Sequence, residues 1–158
     1  MKILLLAVGK LSQRFLQEAV DEFSGRLGRY LPLEVVELKE EKTGGKKPDP
    51  RLIREREGER ILARLPGDAC CLVLDERGKQ FGSEGFARLL ERRMLEGTRT
   101  LCFVIGGAYG LSDAVRSRAD VLLCLSEMTF THQMARLFLL EQLYRAMTIL
   151  RNEPYHNA

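Results

Sequence analysis

Residues 121–147, VLLCLSEMTFTHQMARLFLLEQLYRAM, decide the fold of this chain. The segment opens with five consecutive apolar residues, 121–125, which are enough for a strand and too few for a helix. Because this run does not alternate with polar residues, it predicts a strand buried on both faces, as in a parallel sheet. A polar hinge follows at 126–132, and its hydroxyl groups can accept hydrogen bonds from the unpaired N–H groups at a helix start.

The twenty residues after the hinge form one predicted helix, since they contain no proline or glycine. Its apolar residues cover nearly the whole circumference rather than one stripe: Met134, Leu137, Phe138, Leu139, Leu140, Leu143, Tyr144, Met147, Ile149 and Leu150. A helix of this kind is buried on two sides. One side can pack on its own sheet and the other needs a partner, so the sequence predicts a homodimer.

The rest of the chain alternates predicted strands with predicted helices, which is typical of an α/β fold with a mostly parallel sheet flanked by helices. The predicted strands are 2–8, 33–38, 70–74 and 101–105. The predicted helices are 12–30 with Ser12 as cap, 51–64 with Asp49 as cap, 83–97, and a short helix to about 118 with Ser112 as cap. At 158 residues, the chain is expected to be one domain, residues 1–158.

Composition narrows the class of protein. No apolar run approaches the roughly eighteen residues of a membrane span, so we expect no contact with a membrane. The four cysteines form no CxxC pair and lie in apolar runs, which indicates buried thiols in a reducing compartment and therefore a cytoplasmic protein: Cys70, Cys71, Cys102 and Cys124. Neither histidine, His132 or His156, has cysteine or carboxylate neighbours at metal-ligand spacing, so no metal site is expected.

The positive charge is concentrated in one segment. The net charge is only +3, but residues 42–64 carry eight Lys or Arg against four Asp or Glu. Residues 101–158 are balanced, with five of each sign. A solvated helix face explains the basic segment as well as an RNA-facing patch does. Composition leaves both interpretations open.

Three predicted strand ends carry residues that suit a binding site. Ligands in open parallel sheets bind beyond the carboxyl ends of the strands. Here those ends are Leu74–Asp75, Gly106–Gly107 and residues 125–130. The glycines of IGGAYG, 105–110, do not have the GxGxxG spacing of dinucleotide-binding folds, and no P-loop or GxSxG motif is present. A tight turn and a close backbone approach to a ligand explain them equally well. The residues alone therefore indicate a strand-end pocket without specifying a reaction.

Several separate motifs, taken together, resemble one known family. They are IGGAYGL (105–111), LSEMTFTHQMAR (125–136), EQLYRA (141–146) and PYH (154–156), with MKILLLAVGK (1–10) and LDERGK (74–79) matching as well. This pattern is similar to the RlmH type of the SPOUT superfamily, the ribosomal RNA large-subunit pseudouridine N3-methyltransferases. The resemblance covers essentially the full length. It implies a C-terminal trefoil knot, a homodimer and S-adenosylmethionine bound in the knot.

The resemblance also implies site residues. Those expected to bind the cofactor are Leu74, Gly106, Leu125, Ser126, Glu127, Met128, Thr129 and Phe130. The implied reaction methylates N3 of a pseudouridine in 23S rRNA, in the loop of helix 69, on the large subunit or the assembled ribosome. We expect His156 to assist loss of the imide proton and Tyr155 to place the base. Arg145 would stabilise developing negative charge, and His132 would bind RNA or shape the pocket. With this substrate, the basic segment 42–64 is expected to face RNA.

Two other classes of protein are alternatives. A nucleotide-binding oxidoreductase would have to bind its cofactor without the dinucleotide fingerprint. A non-catalytic ribosome-binding module would keep the fold and lose the activity. Cofactor binding separates the first alternative from a methyltransferase, and methyl transfer to ribosomes separates the second.

Overall fold

The computed structural model describes residues 1–42 and 47–157, which form one parallel sheet with helices on both faces. The strands are β1 (Lys2–Val8), β2 (Leu33–Leu38), β3 (Cys70–Lys79), β4 (Thr100–Ile105) and β5 (Val121–Leu123). The helices are α1 (Arg14–Leu27), α2 (Pro50–Arg64), α3 (Ser83–Leu95), α4 (Asp113–Arg118) and α5 (His132–Leu150). The strand order is β2-β1-β4-β3-β5, and each adjacent pair is parallel. The predicted α/β class is confirmed.

The sheet separates two apolar cores, and the strands supply alternate residues to each. In β1, Ile3, Leu5 and Ala7 face the core formed with α1, α3 and α5. The residues between them face the second core, which includes Ile61 of α2 and Val115 of α4. Successive side chains of a strand point to opposite faces, so a strand covered on both faces must be apolar throughout. This explains the uninterrupted apolar runs of the central strands.

β5 is shorter than predicted and lies at an edge of the sheet. It ends at Leu123 rather than at residue 125, and Val121 and Leu122 are only partly buried. The cause is an irregularity in its partner: β3 pairs with Leu123 through both Leu74 and Lys79. β3 therefore continues five residues beyond its predicted end, and the chain leaves the sheet after Leu123.

The polar residues before the helices cap them in most of the predicted places. Asp49 accepts hydrogen bonds from the N–H groups of Arg51 and Leu52, and the hydroxyl of Ser112 accepts one from Val115. The predicted Ser12 cap is wrong, because α1 begins at Arg14 after Gln13, and Ser12 instead bonds to Gln133 of α5. The structure also ends α1 and α3 two or three residues before their predicted ends.

α5 crosses the sheet from the carboxyl ends of the strands to their amino ends. Thr131 caps it by accepting a hydrogen bond from the N–H of Met134 at 3.2 Å. Its first residue, His132, lies beside Gly9 at the carboxyl end of β1. Further along, Tyr144 packs against Tyr30, which lies just before β2, at the amino edge of the sheet. Nineteen residues at 1.5 Å each give the helix a length of about 28 Å.

A buried arginine ties the start of α5 to the sheet. The side chain of Arg136 is only 1% exposed. It donates to the carbonyl oxygen of Gly9 at 2.8 Å and to the carboxylate of Glu37 at 2.5 Å. One side chain thus joins the carboxyl ends of β1 and β2 to α5. A buried guanidinium requires such partners, because burying an unpaired charge is costly.

The cysteines largely follow the prediction. All four are free, and Cys71, Cys102 and Cys124 are buried, while Cys70 is partly exposed. Burial raises the pKa of Cys71 to about 11 and that of Cys102 to about 12, so both remain thiols at neutral pH. Within residues 1–42 and 47–157, no helix has both the length and the apolar character needed to cross a bilayer. The trefoil knot and the homodimer stay predictions.

Candidate functional site

An open cavity of about 1040 Å³ lies at the carboxyl edge of the sheet. The ends of β3, β4 and β5 reach it, with the turn after β4 and the segment between β5 and α5. All eight residues that were expected to hold a cofactor line this cavity: Leu74, Gly106, Leu125, Ser126, Glu127, Met128, Thr129 and Phe130. The strand-end pocket indicated by the sequence is therefore present.

The segment between β5 and α5 is anchored at both ends, so that its middle faces the cavity. At the first end, the N–H of Cys124 donates to the carbonyl oxygen of Lys79 at 3.0 Å, and its thiol donates to the carbonyl oxygen of Ser126. At the other end, the ring of Phe130 packs on that of Phe138 in α5, 4.8 Å between centroids. Met128 is 72% exposed between these anchors.

The glycines after β4 form a tight turn, in which Gly106 and Gly107 have no space for a side chain. The N–H of Gly110 donates to the carbonyl oxygen of Gly107 at 3.0 Å, and Gly110 has a φ of +82°, which favours glycine. A Cβ atom on Gly106 would lie 2.8 Å from Cδ2 of Leu111. The turn interpretation of IGGAYG is therefore correct. The same turn lines the cavity, so a ligand there would lie against bare backbone.

The sequence pointed to only one of the two residues of an ion pair at the cavity. The guanidinium of Arg116 in α4 donates to the carboxylate of Asp75 in β3 at 2.7 Å, and the Asp75 side chain is only 4% exposed. Both residues line the cavity. Asp75 was noticeable because it follows the apolar run of a predicted strand. Nothing in the sequence pointed to Arg116, whose partner lies 41 residues earlier.

The cavity carries more negative than positive side chains. Among the described residues, six carboxylates line it against four guanidinium groups: Glu55, Glu59, Asp75, Glu76, Asp113 and Glu127 against Arg51, Arg54, Arg77 and Arg116. Such a cavity attracts a ligand with net positive charge and disfavours a diphosphate. In the part of the chain that the structure describes, no three His, Cys, Asp or Glu side chains are grouped to hold a metal ion.

His132 lies at the cavity, as one of its two predicted roles requires. Its Nε2 is 3.6 Å from a carboxylate oxygen of Glu40, too long for a hydrogen bond. Burial lowers the pKa of His132, while Glu40 acts in the opposite direction. The imidazole is therefore uncharged at neutral pH. This supports a role in shaping the cavity more than a charge contact with RNA.

Glu57 is a buried carboxylate that sequence reasoning missed. Its side chain on α2 lies against Gly107, where a Cβ would be 2.6 Å from Oε2. Oε1 accepts a hydrogen bond from the N–H of Glu41 at 3.0 Å, whereas Oε2 is buried without a partner in the described residues. Burial raises the pKa of Glu57. Ionisation of this carboxyl therefore costs more in the folded protein than in the unfolded chain.

The other three residues expected to be catalytic lie far from this cavity within one chain. Tyr155 folds back onto α5, where its hydroxyl donates to Glu141 at 3.0 Å and its ring lies 4.7 Å from the Arg145 guanidinium. A guanidinium nitrogen of Arg145 is 3.4 Å from Nδ1 of His156. Arg145 is thirteen positions after His132 in α5, which is about 20 Å along the helix axis. Tyr155 and His156 therefore fold back onto α5, away from the cavity of their own chain.

The basic segment 42–64 is less positive in the structure than its composition suggests. Lys46 lies outside the described residues. On α2, Arg51 pairs with Glu55, and Arg56 and Arg60 both pair with Glu41. Arg51 and Arg54 line the mouth of the cavity. The part of this segment available to a polyanion is therefore a small group beside the cavity rather than the whole helix.

Comparison with known proteins gives full-length matches. A family model described as "Predicted SPOUT methyltransferase" matches residues 1–156. Relatives from Syntrophotalea carbinolica, Trichlorobacter lovleyi and Clostridium acetobutylicum are 59%, 51% and 46% identical to this chain. Each match covers 99% of this chain and 99–100% of the relative. All three relatives are named ribosomal RNA large subunit methyltransferase H.

One solved structure has a similar fold. It is a methyltransferase from Legionella pneumophila in complex with bound S-adenosylmethionine, with a TM-score of 0.53 and 15% sequence identity. The similarity covers 92% of this chain and 66% of the other, so this chain spans about two thirds of that protein. At this identity the comparison supports the fold alone.

Replacing Glu57 by glutamine should stabilise the protein at neutral pH. The amide keeps the acceptor for the N–H of Glu41 and removes a charge that is costly to bury. Because the pKa of Glu57 is raised in the folded state, the wild type bears this cost only above the carboxyl's unfolded pKa. The stability difference should therefore grow as the pH rises from about 4 to 7. Thermal unfolding at matched protein concentration measures it.

Glu59→Gln is the matched control for this measurement, since Glu59 is exposed on the same helix. It should leave the melting temperature nearly unchanged across the same pH range. A Glu57→Gln protein that is less stable than the wild type at pH 7 would show that the ionised carboxylate is needed in the fold.

Proposed function

This chain belongs to the SPOUT methyltransferase family, and we propose that it methylates N3 of a pseudouridine in 23S rRNA, in the loop of helix 69. The observation that carries the proposal is the cavity at the carboxyl ends of β3, β4 and β5, with its bare glycine turn and excess of negative charge. Relatives named for methylation of large-subunit ribosomal RNA match over their full length, which supports the substrate class. The proposed place of action is the cytoplasm, where ribosomes are assembled.

The cavity fits S-adenosylmethionine better than a nicotinamide dinucleotide. S-adenosylmethionine carries a sulfonium and an ammonium group against one carboxylate, so its net charge is positive, whereas the dinucleotide carries a negative diphosphate. The excess of carboxylates around the cavity favours the positive ligand. Gly106 and residues 125–130 would hold the cofactor through close backbone contact. When bound, this cofactor supplies an electrophilic methyl group.

The groups that handle the proton come from a second copy of the chain. Arg145 lies about 20 Å along α5 from the start of the helix, and Tyr155 and His156 lie beside it, so one chain does not bring them to its own cavity. We propose a homodimer in which the tail of one copy meets the cavity of the other. The exposed side of α5 supports this, because Leu137 and Phe138 remain partly exposed.

The three tail side chains have distinct roles in this proposal. N3 of a pseudouridine bears a proton that must leave for the nitrogen to attack a methyl group. His156 accepts or relays this proton, as a positioned imidazole can. Arg145 stabilises the negative charge that develops on the uracil ring. Tyr155 positions the target nucleobase, since its own ring packs against that of Tyr144 with 4.7 Å between the centroids.

The RNA approaches over the mouth of the cavity. Lys47 lies just before α2, and Arg51 and Arg54 lie near the start of this helix and line the cavity. Phosphate groups that flank the target base would contact these side chains. The proposed binding surface consists of these three residues; Lys46, which was expected to belong to it, lies outside the described part of the chain.

Methyl transfer to ribosomes tests the activity directly. Ribosomes that lack the modification are incubated with the protein and labelled S-adenosylmethionine, and the nucleosides are then analysed. We expect label in 3-methylpseudouridine. Free rRNA, the large subunit and the assembled ribosome are compared as separate substrates. Binding of S-adenosylmethionine without transfer to any of them would instead support a non-catalytic ribosome-binding module.

Replacing Gly106 by valine should abolish measurable binding of S-adenosylmethionine. Any Cβ at this position meets Leu111 at 2.8 Å and the carbonyl oxygen of Gly110 at 3.1 Å, so the turn that lines the cavity must move. Calorimetry measures the affinity, and circular dichroism shows whether the fold persists. Gly67→Val is the control, because a Cβ there meets no atom within 4 Å. Tight NADH binding by the wild type would overturn the cofactor assignment.

Replacing His156 by alanine should slow methyl transfer by about 10²–10⁴-fold at saturating cofactor, the usual range for acid–base catalysis. Single-turnover conditions are needed, because slow release of the ribosome would mask the chemical step. Asn157→Ala, the neighbouring exposed tail residue, should retain the wild-type rate. A His156→Ala protein with the wild-type single-turnover rate would remove His156 from the mechanism.

Mixing His156→Ala chains with Gly106→Val chains tests the shared site. In a statistical mixture half of the dimers are mixed, and each contains one intact cavity facing one intact tail. About a quarter of the wild-type sites should therefore be active, although each homodimer alone is inactive. If the tail served its own cavity, the mixture would stay inactive.

Reversing the charge of Lys47 and Arg54 should weaken ribosome binding and reduce its dependence on salt. Each lost phosphate contact lowers the slope of log K against log salt by about one. Cofactor affinity should not fall, because Arg54 lines the cavity and its replacement by a carboxylate adds negative charge, which favours the positive cofactor. Arg88→Glu on α3 is the control, since Arg88 is exposed in an ordinary helix ion pair. An unchanged salt slope would make the patch a solvated helix face.

A further inference from the structure

Three side-chain donors from α5 and the tail converge on one carboxylate oxygen of Glu141. Arg145 reaches Oε1 through Nε at 3.1 Å and through a terminal nitrogen at 2.5 Å. The hydroxyl of Tyr155 donates to the same oxygen at 3.0 Å. The other oxygen, Oε2, accepts from the side-chain amide of Gln142 at 2.7 Å. Both carboxylate oxygens of Glu141 are therefore occupied.

This arrangement differs from the ordinary ion pairs on the helix surfaces. The side chains of Arg145 and Glu141 are 24% and 18% exposed, whereas those of the pair Arg14 and Glu18 are 92% and 63% exposed. Exposed ion pairs contribute little to stability, because water and salt screen the attraction between their charges. A partly buried carboxylate that receives several charge-assisted hydrogen bonds holds its partners much more firmly.

The Glu141 contacts determine how Arg145 meets the tail. With Nε and one terminal nitrogen directed at Glu141, the remaining terminal nitrogen faces Nδ1 of His156 at 3.4 Å. A guanidinium only donates, so Nδ1 of His156 is the acceptor in this contact. The guanidinium also lies over the ring of Tyr155 at 4.7 Å from its centroid. One carboxylate thus fixes the relative positions of all three tail groups.

We propose that Glu141 is a positioning residue that holds Arg145, Tyr155 and His156 as one preformed unit for the methyl transfer. The inference rests on the proposed function of those three side chains. Groups that are already held in the reactive geometry before the substrate arrives lose no further conformational freedom during the reaction. This lowers the free-energy barrier. Burial and the bond to Glu141 also raise the pKa of Tyr155, so its hydroxyl stays protonated and keeps donating.

Other contacts hold the path of the tail independently of Glu141. The N–H of Glu153 donates to the carbonyl oxygen of Thr148 at 2.9 Å, and Tyr30 donates to the carboxylate of Glu153. These bonds fix the chain as far as Glu153 without touching Arg145 or His156. Loss of the Glu141 charge should therefore disturb the orientation of the tail groups and leave the fold and its stability nearly unchanged.

Mixed dimers with Glu141→Gln in one chosen chain test the proposal. One chain carries Gly106→Val and the other an intact cavity, so a single active site remains, served by the tail of the Gly106→Val chain. Two affinity tags isolate the mixed dimer. Glu141→Gln in the Gly106→Val chain should lower the single-turnover rate at least about tenfold. The same substitution in the chain with the intact cavity should leave the rate and the cofactor affinity unchanged.

The two placements separate positioning from general destabilisation. An equal loss of rate with either placement would mean that Glu141 supports the dimer or the fold as a whole. No loss of rate with either placement would mean that Glu141 does not position the tail groups. Both outcomes overturn the proposal. Glu84→Gln, in an exposed pair with Arg88, is the matched control and should have no effect in either chain.

If the mixed dimer with wild-type Glu141 is inactive, that result counts against the shared site and not against the role of Glu141. A second measurement, which does not depend on catalysis, then tests the proposal. The ring nitrogens of His156 are observed by NMR in the Glu141→Gln homodimer. We expect their signals to shift as the contact between Nδ1 and Arg145 is lost, with Glu84→Gln giving the wild-type spectrum. Unchanged His156 signals in Glu141→Gln would overturn the proposal.

Discussion

The common direction of all five strands is the constraint on which the site depends. Because the strands are parallel, their carboxyl ends meet at one edge, and segments distant in sequence become neighbours there. Leu74, Gly106 and Leu125 reach one cavity for this reason. Arg136 reinforces the edge by joining α5 to the carbonyl of Gly9 and to Glu37. The architecture supplies the cavity, and local contacts give the cavity its shape.

Much of this fold could be predicted from the sequence because its strands are covered on both faces. A strand of that kind is apolar throughout, so β1 was predicted with the bounds that the structure gives it. β5 was overestimated, because an apolar run does not reveal that its partner, β3, is irregular between Leu74 and Lys79. The cap at Ser12 failed for a similar reason, since its hydroxyl is used by Gln133, a residue 121 positions away.

The candidate site divides into a part visible in the sequence and a part that only packing creates. The cavity-lining residues lie at strand ends, and strand ends can be read from periodicity. The network around Glu141 depends on the tail folding back, which no periodic pattern indicates. Glu57 and Arg116 belong to the second part as well, since each was an ordinary charged residue of a helix until its neighbours were known.

The length of α5 has a consequence for how the activity is controlled. The helix holds the cavity and the tail groups at opposite edges of the same chain, about 20 Å apart. In the proposed arrangement, a monomer can bind the methyl donor but cannot transfer the methyl group. Specific activity should then fall on dilution even when the cofactor is saturating, because encounter between two chains creates the reactive centre. Reactivity becomes a property of the assembly, and unassembled chains cannot methylate unintended RNA.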